Sequence, residues 1–378
     1  MPTTTRAVVM EEPGSFDVQE FDLPELGPKD VLMRVELNGI CGTDIHISHG
    51  GMDLDFPILP GHEFAGYVEQ LGDEVESDEF GVPLAEGDPI CAMPFWKEEE
   101  DWYSRNMPHR EQIFTGIAGL GLASVTTGNV GGMSEYLVLP EQAAVYKLPQ
   151  SLDVTTGALA EPMSIAVHAV ERAVEAGFPL VKEGIGLGSS VAVQGVGPIG
   201  LLIIAVADYA GAGQIIAVDA MDDRLEFAER FGASDTVNIT EYDDDAGVIG
   251  AVKELTDSGL GPDAVIEAAG VPQAVRQGIE MPHDGGYYVE AGHYAYNGEV
   301  EINPTRIVQK ELTILGSKAA PSRQFGAGVK ILADIVDEVP LDELFNHPVD
   351  MDVASVEDAY ETQASGGAMR ASIHPHGV

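Results

Sequence analysis

The sequence predicts an α/β chain of two domains, one mostly β and one built on a doubly wound parallel sheet. Three observations predict it. Residues 1 to about 150 carry short alternating apolar runs, such as Val31-Leu32-Met33-Arg34-Val35 and Tyr136-Leu137-Val138-Leu139, punctuated by Gly and Pro, the texture of an antiparallel or barrel-like domain. From Ser190-Val191-Ala192-Val193-Gln194 to about residue 320, strand and helix patterns alternate, which implies parallel strands joined by helical crossovers. At 378 residues the chain is also too long for one ordinary core.

The elements follow in order. Pro162 suits the first turn of a helix, and Ile165, Val167, His168, Val170 and Val174 give an amphipathic segment running to Gly177. After the alternating region, the tail from Gly326 returns to a helix over Val329 to Val336 and a short last strand near Ala371 to His374. That tail is expected to rejoin the first domain. The expected domains are therefore 1–165 with 325–378, and 166–324.

Charge excludes some functions. Lys and Arg number 19 against 63 Asp and Glu, a formal net charge of −44, which repels nucleic acid and anionic membranes. Apolar stretches such as Leu201 to Val206 argue against an acidic disordered chain. The acid is spread over loops and helix faces, as at Glu98 to Asp101 and Asp243 to Asp245. Molar salt shortens the Debye length to about 3 Å, so a halophile tolerates such a surface. Two cysteines, Cys41 and Cys91, exclude a disulfide scaffold. Met1 to Met10 lacks the pattern of a signal peptide and no run reaches about 18 apolar residues, so the expected location is cytoplasmic.

Next comes a phosphate-binding signature. The strand Val191 to Gln194 leads into Gly195-Val196-Gly197-Pro198-Ile199-Gly200 and then the apolar helix Leu201 to Tyr209. Such glycines allow a tight turn, close approach of backbone to a pyrophosphate, and close helix–strand packing, while the helix N-terminus offers free N–H groups. Asp219 ends the next strand, Ile215 to Val218, where a ribose-binding acid belongs. Its carboxylate accepts from the 2′-hydroxyl of NAD and repels the 2′-phosphate of NADP, so NAD is favoured. Arg224 is the counter-argument for NADP, although a solvated helix position accounts for it as well.

Cys41-Gly42-Thr43-Asp44-Ile45-His46, Gly61-His62-Glu63 and Glu161-Pro162 supply thiolate, imidazole and carboxylate, all good zinc ligands. Singly, each has a plainer reading: a small buried hydrophobe for Cys41, a surface pair for His62 and Glu63, a helix N-terminus for Glu161. Together with Glu-Pro-Met-Ser at 161–164, the glycine turn at 195–200 and Lys310-Glu311-Leu312-Thr313-Ile314, they make the chain resemble a zinc-dependent medium-chain dehydrogenase/reductase, in its alcohol, polyol and threonine dehydrogenase branch. The resemblance covers essentially the whole length.

The resemblance implies a GroES-like catalytic domain, a Rossmann dinucleotide-binding domain, and an active site in the cleft. It implies that Cys41 and His62 bind one catalytic Zn2+, with Glu63 and Glu161 as acidic ligands or near-ligands, and that Asp44 orients His62. Thr43 would pass a proton from an alkoxide, and His46 would be the outer member of that relay. His49 matches no role and is expected in solvent. Gly270, after the strand Asp263 to Glu267, would border the nicotinamide half. Arg370 resembles a pyrophosphate-binding arginine of some relatives, with a surface position as the alternative.

The chain also departs from its family. Many relatives carry four close cysteines around a structural zinc; with only Cys41 and Cys91, none is expected here, and Cys91 is expected in the core. The segment Phe95 to Tyr103 stands in that lobe and would wall the pocket with aromatic rings. A homo-oligomer, dimer or tetramer, is implied, but the altered lobe weakens the transfer. The expected reaction is reversible hydride transfer between an alcohol, with a lean to polyols and sugars, and NAD. The rivals are a zinc-independent quinone or enoyl reductase of the same fold, which lacks the metal ligands, and a non-catalytic NAD-binding protein, which would oxidise no alcohol.

Overall fold

The computed structural model describes residues 2–52, 54–97, 102–106, 117–119, 121–124, 130–174 and 184–378. The acidic run 98–101 and the expected helix end at Gly177 lie outside the described residues. The chain divides into two units, one of Met1–Ser164, Ala320–Val336 and Leu341–Val378, the other of Ile165–Ala319 and Asp337–Pro340. Among the described residues no helix is long and apolar enough to cross a membrane.

In the first unit the strand Val31–Gly39 lies inside a seven-stranded sheet, pairing antiparallel with Glu63–Leu71, Tyr136–Leu139 and Arg370–His374. Met33, Val35 and Leu37 are wholly buried, each contributing about 1.5–3 kcal/mol by leaving water. The strand Thr4–Glu12, in a separate four-stranded sheet, shows the two-residue period at work. Ala7 and Val9 enter a core with Met33, Phe64 and Leu137, while Val8 and Met10 enter another with Ile40, Ile47 and Ile373. One pairing departs from the antiparallel expectation. The strands Phe345–Asp350 and Arg370–His374 run parallel, because the helix Val353–Ala364 between them carries the chain back to the starting edge.

The second unit holds a six-stranded parallel sheet. Its order across the sheet is Asp235–Asn238, Gln214–Asp219, Ser190–Gln194, Ala264–Glu267, Tyr287–Glu290, Thr313–Gly316. In chain order that is 3-2-1-4-5-6, the doubly wound order, with the direction of winding reversing beside Ser190–Gln194. The helix expected from Leu201 begins at Pro198 instead, since a proline at the first helical position gives up an N–H that has no partner anyway. Residues Gly200 to Ala207 of this helix are all buried, which explains its continuous apolar run. The helix Ala160–Ala173 stops short of Val174, which makes a parallel bridge to Ile185.

Candidate active site

Two clusters of polar side chains lie within the units, and each falls where chain geometry leaves no alternative for the backbone. In the first unit, Cys41 follows the strand Val31–Gly39 and precedes the short helix Gly42–Ser48. His62 and Glu63 sit where the antiparallel neighbour Glu63–Leu71 begins, with Glu63 directly opposite Gly39. Strand pairing therefore brings residues about twenty positions apart into contact. Single ligand atoms of Cys41, His62 and Glu63 all lie within 4.8 Å of one another.

His62 and Glu63 are buried, while Cys41 is half-buried. Asp44 is fully buried; its Oδ2 accepts from the Cys41 backbone N–H at 2.8 Å and its Oδ1 lies 3.6 Å from His62 Nδ1. That placement turns Nε2 of His62 away from Asp44. Glu63 is also fully buried and forms an ion pair with Arg370, whose strand adjoins Val31–Gly39 in the same sheet. Gly39 makes the pair possible, since a Cβ there would press on Glu63 Oε2 and the Phe345 ring. Glu161, at the start of the helix Ala160–Ala173, stands outside the 4.8 Å trio, yet is buried and close enough to interact electrostatically with His62 and Asp44.

The electrostatics of the site are those of a place built for a cation. Burial pushes the Cys41 thiol up to about 11, with the Asp44 carboxylate adding to the rise. Burial likewise raises Asp44, and lifts Glu161 to about 7 against the pull of His62. Asp44 Oδ1, His62 Nδ1 and Glu63 Oε1 are buried with no hydrogen-bond partner. Buried polar atoms rarely stay unpaired without reason. A thiol, an imidazole and a carboxylate brought together beside these unsatisfied atoms fit a zinc ion, whose charge would favour the thiolate.

Other predicted residues are placed around this cluster. Thr43 is half-buried on the first turn of Gly42–Ser48, and His46, three residues on, is exposed. His49 is exposed at the end of that helix. Cys91 is completely buried in the strand Pro89–Ala92, where burial pushes its thiol up. Phe95 stacks obliquely near His62, with ring centroids 6.0 Å apart, while Trp102 is exposed. The surface reading of Arg370 is corrected: the residue is 2 % exposed, because its strand is flanked on both sides in the sheet and its charge is spent on Glu63.

In the second unit the glycine turn follows the central strand Ser190–Gln194. Gly195 has φ +80, and a Cβ would press on the Ala269 backbone at 2.5 Å; a Cβ on Gly200 would collide with the carbonyl of Gly195. Gly197 is different. A Cβ there would meet nothing closer than Arg224 Nη1 at 4.0 Å, so the protein itself does not demand this glycine. An approaching ligand would. Pro198 and Ile199 open the helix, whose N-terminus faces the same turn. Asp219 ends the strand Gln214–Asp219; its Oδ2 accepts from Val196 N–H at 2.8 Å and its Oδ1 from Ala220 N–H at 2.7 Å. Arg224, half-buried on the helix Asp222–Arg230, brings a guanidinium to the turn. Gly270 lies three residues beyond the strand Ala264–Glu267, with φ +67.

A cluster missed in the sequence lies beside it: Glu267, Glu290 and His293. The signal was a carboxylate closing the apolar run Ala264-Val265-Ile266-Glu267, a charge at a position that a parallel sheet buries.

Comparison with known proteins bears on both units. Residues 27–150 match the family described as the alcohol dehydrogenase GroES-like domain, and residues 198–334 match the zinc-binding dehydrogenase family. The erythritol/L-threitol dehydrogenase of Mycolicibacterium smegmatis is 32% identical over 364 residues, covering 92% of this chain and 91% of that protein. A Sinorhizobium meliloti protein described as a zinc-binding dehydrogenase, solved bound to NADP, superimposes with TM-score 0.84 at 29% identity over 99% of this chain and 100% of that one. The 2R,3R-butanediol dehydrogenase of Bacillus subtilis does so with TM-score 0.81 at 27% identity, over 98% and 100%.

Proposed function

We infer the chemistry of the site from one premise: the chain belongs to the zinc-binding, GroES-like alcohol dehydrogenase family. It is an oxidoreductase that moves a hydride reversibly between an alcohol and NAD(P). Its substrate, in our reading, is a polyol or sugar carrying a secondary hydroxyl beside a second one. Erythritol, threitol and 2,3-butanediol, the compounds for which two relatives are named, all have that arrangement. The observation that carries the reading is the convergence of Cys41, His62 and Glu63 within 4.8 Å, with Glu63 Oε1 buried and left without a hydrogen bond.

The proposed roles are these. Cys41 and His62 hold the zinc, with Glu63 or Glu161 as the acidic ligand. Bound there, zinc supplies Lewis acidity that lowers the pKa of a substrate hydroxyl. Asp44 orients His62 through Nδ1, and Arg370 balances the charge of Glu63. Thr43 Oγ1 accepts the hydroxyl proton as it passes its own proton on, and the exposed His46 imidazole carries that proton to solvent. Hydride leaves the carbinol carbon for the nicotinamide, so an alcohol becomes a carbonyl and one proton is released.

The cofactor in this reading is NAD. Asp219 presents a carboxylate at the strand end where a 2′-phosphate would have to sit, and the bonds it already accepts from Val196 and Ala220 fix it there. The acidic surface we read as salt adaptation, with a melting temperature that rises from low to molar salt. One assay tests the whole: initial rates with NAD and NADP over alcohols, polyols and sugars in molar salt, before and after chelation. NAD-linked, chelator-sensitive oxidation of polyols is expected. A preference for NADP would refute the role of Asp219, and full activity without metal would refute the role of Cys41 and His62.

A further inference from the structure

Glu267 and Glu290 are the last residues of adjacent parallel strands and are direct register partners, so their side chains project side by side from one face of the sheet. Like charges in that relation repel. Glu267 is completely buried; its Oε1 accepts from the N–H groups of Ala269 at 2.8 Å and Gly270 at 2.7 Å. Its Oε2 has no hydrogen-bond donor: it lies beside the Glu290 carboxyl group, with the ring nitrogen Nδ1 of His293 at 3.5 Å. Glu290 is richly supplied by comparison. Its Oε2 accepts from Tyr288 Oη at 2.6 Å, and its Oε1 accepts from His293 N–H at 3.2 Å and lies 3.0 Å from His293 Nδ1.

A buried carboxylate oxygen that receives no hydrogen bond and lies beside a second carboxyl group is satisfied by a proton held between them. We propose that Glu267, protonated on Oε2, donates to Glu290, and that this shared proton clasps the loops 268–271 and 291–297 into the shape that receives the nicotinamide half of the cofactor. The loops interlock there. Gly270 needs its positive φ, and a Cβ on Gly292 would collide with Glu267 Oε2 and the Gly270 backbone. Asn297 Nδ2 donates to the Gly270 carbonyl at 2.6 Å, tying the far end of the second loop to the first. Placement supports the ligand half. A dinucleotide bound at the switch point beside Ser190–Gln194 would have Asp219 on its adenosine side, so its other half would fall over the ends of Ala264–Glu267 and Tyr287–Glu290.

The titration behaves accordingly. Burial first, then the neighbouring Glu290, pushes Glu267 up to about 8, while Glu290 is held low by Glu267, Tyr288 and His293. Among the described residues, Tyr288 and His293 are the ionisable groups that act on this pair; Gln194, the other register partner of Glu267, does not titrate. Above about pH 8 the proton leaves and two adjacent carboxylates drive the loops apart.

This clasp rests on the dinucleotide reading of the second unit, and the test separates the two. NADH binding to the full chain is followed by fluorescence from about pH 6.5 to 9.5. The wild type should bind about tenfold more weakly at the upper end, on the scale of one strong hydrogen bond lost to repulsion. Glu267→Gln keeps a donor toward Glu290 without a titrating proton, and Glu290→Gln leaves Glu267 as an acceptor; both should bind with no such pH dependence. Glu267→Ala should bind weakly at every pH. A decline in both glutamine variants that parallels the wild type would overturn the clasp, as would a second metal ion per chain that Glu267→Gln removes. If the wild type bound neither NADH nor NADPH at any pH, the dinucleotide reading itself would fall.

Discussion

Among the described residues, each unit buries one glutamate completely, and the two dispose of its charge in opposite ways. Glu63 in the first unit is matched by a permanent cation, the Arg370 guanidinium. Glu267 in the second faces another carboxylate and keeps a proton instead. The difference suits the chemistry of each place. A site that must hold a divalent metal needs its neighbouring carboxylate charged at every working pH, and arginine never gives up its proton there. A site that only shapes loops can use a proton, at the cost of a working range that ends near pH 8.

The comparison breaks most sharply at the metal side. Cys41→Ser or His62→Ala should lose zinc and lower kcat/KM about 1000-fold or more, since the Lewis acid supplies several kcal/mol to the transition state. Metal analysis beside steady-state kinetics checks it; a metal-free variant with wild-type activity would sink the assignment. Arg370→Met comes next. Leaving Glu63 charged and alone in the interior should cost about 3–5 kcal/mol in denaturant unfolding, while the double variant with Glu63→Gln should recover most of it. No recovery would mean that Arg370 acts by packing rather than charge. Smaller again is Asp44→Asn, which keeps the shape but weakens the hold on His62; about 10- to 100-fold in zinc affinity is expected, read by competition with a chelator.

How much of this was legible beforehand follows from range along the chain. The glycine turn, its helix and Asp219 lie within about thirty residues and carry a local period, so the strand–turn–helix unit and its ligand could be read directly. Cys41, His62 and Glu63 were legible as ligand types, and the family pattern grouped them. Arg370 was named as well, but not its pairing with Glu63, which it meets across 307 positions through a strand pairing that no local pattern specifies. The same holds for Glu267 and Glu290, where the alternating pattern shows two strands but not their register. The parallel pairing of the last two strands escaped for that reason too.

The smallest effect concerns stability and sharpens the contrast between the two glutamates. In the unfolded chain Glu267 loses its proton near 4.5, but in the folded protein it keeps it to about 8. Between these values the native state binds the extra proton, so unfolding free energy should fall as pH rises from about 5 to 8 and level off above. Glu267→Gln removes Glu267's share of that slope, read between about pH 7 and 8 above the range of Glu161, at a cost of about 1 kcal/mol or less at the acid end, where glutamine reproduces the neutral carboxyl group. Glu63→Gln should not remove it, because the charge of Glu63 is matched by Arg370 rather than by a proton. Urea unfolding of the three proteins at several pH values reads the difference. An unchanged slope in Glu267→Gln would place the proton elsewhere, and a slope lost in Glu63→Gln would erase the distinction between a carboxylate neutralised by arginine and one neutralised by a proton.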